Sequence, residues 1–343
     1  MSEIALYRKY RPKDFAEVLG QDHVIDVLEG ALERRAVAHA YLFAGSRGTG
    51  KTSVARILAG KIGCKPMDIH EIDAASNRGI DDIRELRAAV QTLPFESPYK
   101  VYIIDEAHML TKEAFNALLK TLEEPPAHAV FILATTEARK LPDTIVSRCQ
   151  TFTFKKPSQA VLRDAVIKIA EREGFVLEPS SGDLIALLGD GSFRDAQGIL
   201  QKVLSASPDK KISPAEVERV TGAPARDLVN SFIAALAESD IEKGMGAVQK
   251  ALEQNVDMSV FLKLILRNLR FILLLRFAKR QEEAIREHVT KEDFDFLSAM
   301  VSSSRITSHT LKTFLSAHDT MRYAHVPELS LELALMEVMG HNA

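Results

Sequence analysis

The segment GSRGTGKT, from Gly45 to Thr52, has the residue types and the spacing of a loop that binds phosphate groups. It follows a short apolar stretch and precedes a stretch that can form a helix, which is the context that this pattern requires. Backbone N–H groups in such a turn can surround phosphate oxygens at a helix N-terminus, where the helix dipole favours anions. A glycine-rich turn that matches the pattern by chance is the alternative interpretation.

The residues of this segment have expected roles in holding a nucleotide and Mg²⁺. The Lys51 ammonium is expected to reach the β and γ phosphates and to act in catalysis, and the Thr52 hydroxyl is expected to bind Mg²⁺. The residues expected to bind the nucleotide here are Gly45, Ser46, Arg47, Gly48, Thr49, Gly50, Lys51, Thr52 and Ser53.

Two adjacent acids, Asp105 and Glu106, follow the apolar stretch VYII. Open α/β sheets bind ligands at the carboxyl ends of their strands, so Asp105 is expected to hold Mg²⁺, usually through water. Glu106 is expected to polarise the attacking water as general base. Paired acids at a strand end can instead cap the next helix. Thr136, which ends the stretch VFILATT, is expected to bond the γ phosphate or the water, although threonine is common at strand ends.

Short apolar stretches alternate with amphipathic ones in the first half of the chain. The stretch TKEAFNALLKTLEEPP has apolar residues on one helical stripe, with Thr111 as the N-cap and Pro125 and Pro126 ending the helix. This alternation predicts an α/β domain with a doubly wound parallel sheet. The predicted strands are 41–45, 69–73, 101–105 and 130–136.

After Lys156 the strand signals stop, and the patterns are those of amphipathic helices. TGAPAR, at 221–226, has the composition of a linker. The apolar stretch FLKLILRNLRFILLLRFA holds more apolar surface than one helix face needs, which predicts a buried helix or an interface with other copies. The predicted domains are a P-loop domain at 1–157, a helical lid at 158–222 and an all-α domain at 223–343.

The composition is that of a protein without a membrane anchor or a disulfide framework. The chain has 343 residues, a net charge of −3 and two cysteines, Cys64 and Cys149, which suit a reducing cytosol. Its N-terminus is too polar for a secretory signal, and charged residues interrupt the most apolar stretch. These features predict a cytoplasmic protein in which any DNA-binding surface is a local patch.

Several motifs, taken in order, carry a resemblance to a known family. They are the P-loop, YRKYRPKDFAEVLGQDHV, IDEAHML, NALLKTLEEPP, LATTE, LPDTIVSRC and GSFRDA. Together they resemble the tau/gamma ATPase subunits of bacterial DNA polymerase III clamp loaders, which are AAA+ proteins, densely over the first two hundred residues and loosely over the last third. The chain resembles the short form of these subunits.

The resemblance implies an AAA+ ATPase domain, a helical lid and an all-α collar that holds subunits together. It implies a motor that binds ATP with Mg²⁺ and hydrolyses ATP to open a sliding clamp and load it on primer–template DNA. The implied partners are the other loader subunits and copies of this chain in a pentameric assembly, the sliding clamp, and DNA contacted without sequence preference.

The resemblance also implies roles for two arginines. Arg148, in SRC, would be an arginine finger that reaches the ATP of a neighbouring subunit and offsets charge in the transition state. A surface arginine paired with a nearby acid is the alternative. Arg194, in GSFRDA, would be a sensor that contacts the γ phosphate and couples the lid to the nucleotide state. Its alternative is an ion pair with Asp195 or Asp190.

Further implied residues line the adenine pocket and contact DNA. Arg78, Arg84 and Lys112 lie at the starts of helices that would follow the DNA backbone, although such residues are more often simply solvated. The residues implied for the adenine pocket are Tyr7, Arg11, Val18 and Leu19.

Relatives usually insert a module with four cysteines after the P-loop helix, and here the link is only GCKPMDIH. Cys64 and His70 fall short of the four ligands that a structural zinc needs, so we expect no zinc site. Two other functions remain open on the sequence. One is an AAA+ DNA translocase such as a Holliday-junction branch-migration motor, and the other is a scaffold subunit without ATPase activity.

Overall fold

The structure is a computed structural model that describes residues 4–76, 79–207, 209–286, 289–321 and 323–340. Contacts between Cα atoms divide the chain into two compact units. The first unit extends to Leu162 and also contains Gly189–Gly198, and the second contains Arg163–Leu188 and the chain from Ile199 onward. The division into three domains at 157 and 222 stays a prediction.

A five-stranded parallel sheet forms the centre of the first unit. Its strands lie in the order β2-β3-β4-β1-β5. They are β1 (Ala40–Gly45), β2 (Ile69–Asp73), β3 (Lys100–Asp105), β4 (Ala129–Thr135) and β5 (Gln150–Phe154). Because β1 lies between two strands that come much later in the chain, the sheet is doubly wound, and the predicted fold class is confirmed.

Burial explains why these stretches form the inner strands. Every residue of β4 is buried, and in β1 and β3 every residue except the last is buried. Tyr41 and Phe43 pack in one apolar cluster, whereas Leu42 between them packs in a second cluster on the opposite face. Helices thus cover both faces. The last residues of β1 and β3, Gly45 and Asp105, lie at the carboxyl edge of the sheet, which is where the polar site forms.

The helices of the first unit connect these strands. Thr111 Oγ1 accepts a hydrogen bond from Ala114 N at 3.2 Å, so the predicted N-cap is confirmed. The helices that lie wholly in this unit are α1 (Leu6–Lys9), α2 (Asp22–Glu33), α3 (Lys51–Lys61), α4 (Ile80–Val90), α5 (Lys112–Glu123) and α6 (Asp143–Val146).

The second unit is built mainly of helices. Two of them, α7 (Gln159–Arg172) and α9 (Phe193–Ala206), have residues in both units. The other helices of this part are α8 (Pro179–Leu188), α10 (Pro214–Thr221), α11 (Arg226–Glu238), α12 (Ile241–Glu253), α13 (Met258–Phe277), α14 (Glu282–Arg286), α15 (Lys291–Met300), α16 (Ser308–Met321) and α17 (Pro327–Gly340).

One short parallel pair corrects the expectation that only helices follow Lys156. Strand β6 (Val176–Leu177) pairs with strand β7 (Lys211–Ile212). Two residues are too few to leave an alternating pattern in the sequence, which is why the pair escaped prediction.

Helix α13 contains the apolar stretch that was expected to exceed the needs of one helix face. It packs against α11, α15, α16 and α17, so helices of its own chain cover most of that surface. Phe277, at its end, remains 78% exposed. The apolar stretch therefore fits the buried-helix interpretation, and an interface with other copies stays a prediction. Neither α13 nor any other helix in the described ranges is long and apolar enough to cross a membrane.

Candidate nucleotide-binding site

The glycine-rich loop has a backbone that only glycine fits at one critical point. Gly48 has a φ of 72°, and a Cβ atom there would lie 2.0 Å from the Ser192 hydroxyl oxygen. Phe193 N also donates to Gly48 O at 3.0 Å. Gly50 has a φ of 101° and directly precedes α3. The loop therefore ends at the N-terminus of an eleven-residue helix, where N–H groups are available to an anion.

Lys51 lies in the first turn of α3 and is 5% exposed. Its ammonium donates to Gly45 O at 2.7 Å and to Ser46 O at 2.9 Å. These two hydrogen bonds hold the Lys51 ammonium beside the loop, where it could exchange them for hydrogen bonds to a phosphate group.

Three other predicted site residues lie close enough to Lys51 to change its pKa, and they are Asp105, Glu106 and Arg194. Burial lowers the pKa of Lys51, and the charge of Arg194 lowers it further. Glu106 and Asp105 oppose this effect. A buried cation next to a second cation is suited to receive the negative charge of phosphate groups.

Thr52 and Asp105 meet at the carboxyl edge of the sheet. Thr52 Oγ1 donates to Asp105 Oδ2 at 2.8 Å. A hydroxyl and a carboxylate are the oxygen ligands that Mg²⁺ prefers, so this pair fits the ion that the fold implies. Asp105 Oδ1 accepts from Glu106 N at 3.0 Å, which fixes the second oxygen of the same carboxylate.

Glu106 has a left-handed backbone, with φ 47° and ψ 45°, which is uncommon outside glycine and asparagine. Thr136 donates to Glu106 Oε2 twice, from Oγ1 at 3.0 Å and from N at 3.3 Å. The predicted base and the predicted strand-end threonine are therefore in contact. Such unusual backbone conformations concentrate at functional sites.

Arg194 follows Phe193 at the start of α9, beside the glycine-rich loop. Its Cζ atom lies 5.4 Å from the centre of the Tyr7 ring, so the sensor candidate and an adenine-pocket candidate are neighbours. Asp195 lies 3.7 Å from Arg47, an arginine of the loop itself.

The other adenine-pocket candidates differ in their surroundings. Val18 is buried in the cluster that contains Val54 and Leu58 of α3, whereas Leu19 is 41% exposed. Burial and then the charge of Arg56 lower the pKa of Arg11. The adenine role of these residues stays a prediction.

Arg148 follows α6 and is held within its own chain. Its Nη2 atom donates to Glu123 Oε1 at 2.6 Å, and Nη1 donates to Thr144 O at 2.8 Å. About a third of the side chain is exposed. This contact is the ion pair of the alternative interpretation, and it leaves the guanidinium at the surface. The role in a neighbouring site stays a prediction.

Two of the three DNA candidates lie on helices of the first unit. Arg84 lies on α4 and Lys112 begins α5, and these two helices pack together. Arg78 lies outside the described residues. DNA contact by any of them stays a prediction.

Cys64 is a buried thiol that donates to Asp68 O at 3.3 Å and to Tyr99 O at 3.2 Å. Burial raises its pKa, which disfavours the thiolate that a metal requires. Within the described residues, no group of three or more histidine, cysteine or acidic side chains is placed to hold a metal ion. The expectation of no zinc stays a prediction.

Two residues of the site escaped sequence analysis. Ser192 approaches Gly48 from a distant part of the chain, and no local pattern marks that contact. His108 lies 3.4 Å from Glu106 Oε2. Its signal in the sequence is the segment IDEAHML, where the histidine follows the two acids after one alanine.

Solved structures with the same fold include a motor that acts on DNA. The structure titled as the Holliday junction branch migration motor RuvB of Thermotoga maritima matches 67% of this chain and 80% of its own, at 23% identity and a TM-score of 0.54. This likeness shows the fold, an AAA+ ATPase fold, and nothing finer.

Sequence comparisons identify the family. The family model described as DNA polymerase III, delta subunit, matches residues 20–79 and 65–158, and the model described as DNA polymerase III subunits gamma and tau domain III matches residues 212–342. The DNA polymerase III subunit tau of Bacillus subtilis is 36% identical over 98% of this chain and 63% of its own length. The DNA polymerase III subunit gamma/tau of Mycobacterium tuberculosis H37Rv is 35% identical over 98% of this chain and 62% of its own length. This chain thus spans somewhat less than two thirds of these relatives, and it belongs to the family of the gamma and tau subunits of bacterial DNA polymerase III.

Proposed function

We propose that this chain is an ATP-dependent motor subunit of a DNA polymerase III clamp loader, which uses ATP hydrolysis to open the sliding clamp and load it on primer–template DNA. One observation carries the proposal. The proposed catalytic residues come together at the carboxyl edge of the sheet, around the loop that we propose for phosphate. They are Lys51, the hydrogen-bonded pair of Thr52 and Asp105, and the hydrogen-bonded pair of Glu106 and Thr136. The intact set argues against a scaffold subunit that has lost its ATPase.

ATP binding would use the loop and its lysine. Backbone N–H groups at the start of α3 receive the phosphates, and the Lys51 ammonium exchanges the carbonyl groups of Gly45 and Ser46 for phosphate oxygens. Mg²⁺ supplies positive charge that offsets the charge of the β and γ phosphates, and Thr52 and Asp105 would hold it. Arg194 adds a second cation near Lys51.

Hydrolysis would use Glu106 as the base. The oxygen of a water molecule attacks the γ phosphorus, the bond to the oxygen that bridges to the β phosphate breaks, and ADP leaves. The proton of the water goes to the Glu106 carboxylate. Thr136 orients that carboxylate through its two hydrogen bonds.

Arg148 would complete the site of a neighbouring subunit. A guanidinium placed at the γ phosphate offsets the charge of the transition state and is worth about 10³- to 10⁵-fold in rate. To reach a neighbour, the side chain would exchange Glu123 for the phosphate. Both partners of this ion pair are partly exposed to solvent, so breaking it costs little.

A rigid apolar tip in the first unit is suited to contact the sliding clamp. Leu93 and Phe95 are 78% and 79% exposed. Asp68 holds the loop because its carboxylate accepts from the backbone N–H groups of Phe95, Glu96 and Ser97. Burial alone would raise the pKa of Asp68, but the Ser97 hydroxyl and these N–H groups outweigh it and lower the pKa to about 2. Exposed apolar side chains on a fixed backbone mark a protein-binding surface.

Copies of the chain and other subunits would meet at the second unit. Leu329, Leu333 and Met336 recur on one face of α17 and are 47%, 54% and 44% exposed. This α17 face would form part of the collar that the family resemblance implies. The translocase alternative calls for a winged-helix domain, and every strand in the described ranges ends before α10. That arrangement favours the loader.

The experiment compares two variants by calorimetry and by ATPase assay. Lys51→Ala should abolish ATP binding, because it removes the cation that meets the phosphates. Glu106→Gln should keep ATP binding and lose turnover by about 10²-fold or more, because the amide cannot accept the proton. Equal loss of ATP binding in both variants would remove Glu106 as the base.

A further inference from the structure

His108 lies directly beside the proposed base, and the reaction described above gives it no role. It belongs to the short helical turn Ala107–Met109, and its side chain is only 7% exposed. Its Nδ1 atom lies 3.4 Å from Glu106 Oε2 and 3.1 Å from Thr135 Oγ1. The carboxylate oxygen that Thr136 contacts is therefore shared with the imidazole.

The opposite edge of the imidazole faces a second acid. His108 Nε2 lies 3.5 Å from Glu137 Oε1, and Lys140 Nζ donates to the same oxygen at 2.9 Å. The hydrogen bond from Lys140 lowers the pKa of Glu137 most, and His108 contributes to the same direction. Glu137 N donates to Thr135 Oγ1 at 3.0 Å, so the hydroxyl that contacts Nδ1 also contacts the backbone of the acid that faces Nε2.

These contacts form a continuous polar path from the site to the segment that leads to α6. It begins at Glu106, passes through His108 and Glu137, and ends at Lys140. Lys140 is two residues before Pro142, the N-cap of α6, and Arg148 follows that helix. Because the ring is nearly buried, a lost contact would leave polar atoms without compensation by water.

We propose that His108 is a positioning residue that fixes the orientation of the Glu106 carboxylate and links it, through Glu137, to the segment before α6. The inference rests on the proposed function, because it concerns the orientation of the base proposed for that function. The two nitrogen atoms of the ring have different roles in this proposal. Nδ1 contacts the carboxylate of Glu106, and Nε2 contacts the carboxylate of Glu137.

Three substitutions separate these two roles. The amide of His108→Asn occupies the place of Nδ1, the amide of His108→Gln occupies the place of Nε2, and His108→Ala removes both contacts. His128→Asn is the control, because His128 is a half-buried histidine of the same unit whose Nε2 atom lies 3.0 Å from Val90 O, away from the site. The assembled loader, with clamp and primed DNA, is assayed for ATP affinity and for the rate of single-turnover hydrolysis.

His108→Ala should lower the hydrolysis rate by up to about 10²-fold, the scale of a displaced catalytic group, with ATP affinity within about twofold. His108→Asn should recover most of the rate, His108→Gln should recover little, and His128→Asn should equal the unaltered chain. In the Glu106→Gln background, His108→Ala should cause no further loss, because it acts through the carboxylate.

Three outcomes would overturn the inference. They are a wild-type rate in His108→Ala, equal recovery by His108→Asn and His108→Gln, and a loss of ATP affinity that parallels the loss of rate. Failure of the unaltered chain to bind ATP would instead refute the proposed function itself, so the two failures are distinguishable.

Discussion

The site depends on single atoms whose positions the backbone fixes. Gly48 leaves room for the Ser192 hydroxyl, and the left-handed Glu106 turns its carboxylate toward Thr136. Lys51 is buried beside carbonyl groups that hold its charge until a stronger acceptor arrives. At the residue scale, the proposed triphosphate site therefore has its backbone shape and its positive charge fixed by the chain itself.

A substitution at Gly48 tests whether the loop needs the space between Gly48 and Ser192. Gly48→Ala should destabilise the chain by more than about 1 kcal/mol, because alanine is strained at a positive φ and its Cβ would collide with Ser192. It should also weaken ATP binding, since the loop must shift. Gly60→Ala is the control: Gly60 lies in α3 with open space around it, and alanine there should be neutral or stabilise by up to about 1 kcal/mol. Thermal unfolding and calorimetry measure both effects, and equal behaviour of the two variants would contradict the account.

At the scale of elements, the ends of strands and helices carry the function. Strand β3 delivers Asp105, the end of β4 precedes Thr136, and α3 begins at Lys51. The stretch that follows α4 carries the exposed tip of Leu93 and Phe95. Asp68, which directly precedes β2, holds the backbone of that tip through hydrogen bonds, so the tip is tied to the sheet.

Truncation of the tip tests its role as a clamp contact. Phe95→Ala should leave the thermal midpoint and ATP affinity nearly unchanged, because the side chain is 79% exposed and buries little in this chain. It should lower the stimulation of hydrolysis by the clamp by about tenfold or more, the scale of an aromatic anchor at an interface. The control is Val27→Ala, which removes an exposed apolar side chain on α2. Full clamp stimulation in Phe95→Ala would place the contact elsewhere.

Particular residues show what the sequence could and could not reveal at this scale. Strand ends and the P-loop were predictable, because apolar stretches and fixed spacings mark them locally. Contacts between distant parts of the chain left no such mark: Ser192 with Gly48, and Glu123 with Arg148. The sequence leaves open whether α13 is buried within its own chain or lies at an interface, because it shows how apolar a helix is and not which helices surround it.

At the scale of the whole molecule, two surface features bear on the proposed assembly. The first unit brings together the residues that we propose for its own nucleotide, and it has Arg148 at its surface, which we propose for the site of a neighbour. The second unit has an exposed apolar α17 face of Leu329, Leu333 and Met336 that its own helices leave uncovered. Both features suit a protein that works beside copies of itself.

A charged side chain on the α17 face tests the assembly. Leu333→Glu should lower the mass of the assembly in light scattering, because a carboxylate cannot be buried at an apolar interface without a partner. Leu252→Glu is the control, since Leu252 is an exposed leucine on α12, outside that face. An assembly of unchanged mass with Leu333→Glu would place the main interface in the first unit.

The most direct measurement of the central claim mixes two inactive forms of the chain. Glu106→Gln keeps Arg148 but cannot use its own ATP, and Arg148→Ala keeps its own base but offers no finger. Loader assemblies are reconstituted with either form alone and with both, and ATP hydrolysis is measured with clamp and primed DNA. If Arg148 serves the site of a neighbour, each form alone is nearly inactive and the mixture regains a substantial part of the activity. A mixture no more active than the average of the two forms would contradict the account, as would full hydrolysis by Arg148→Ala alone.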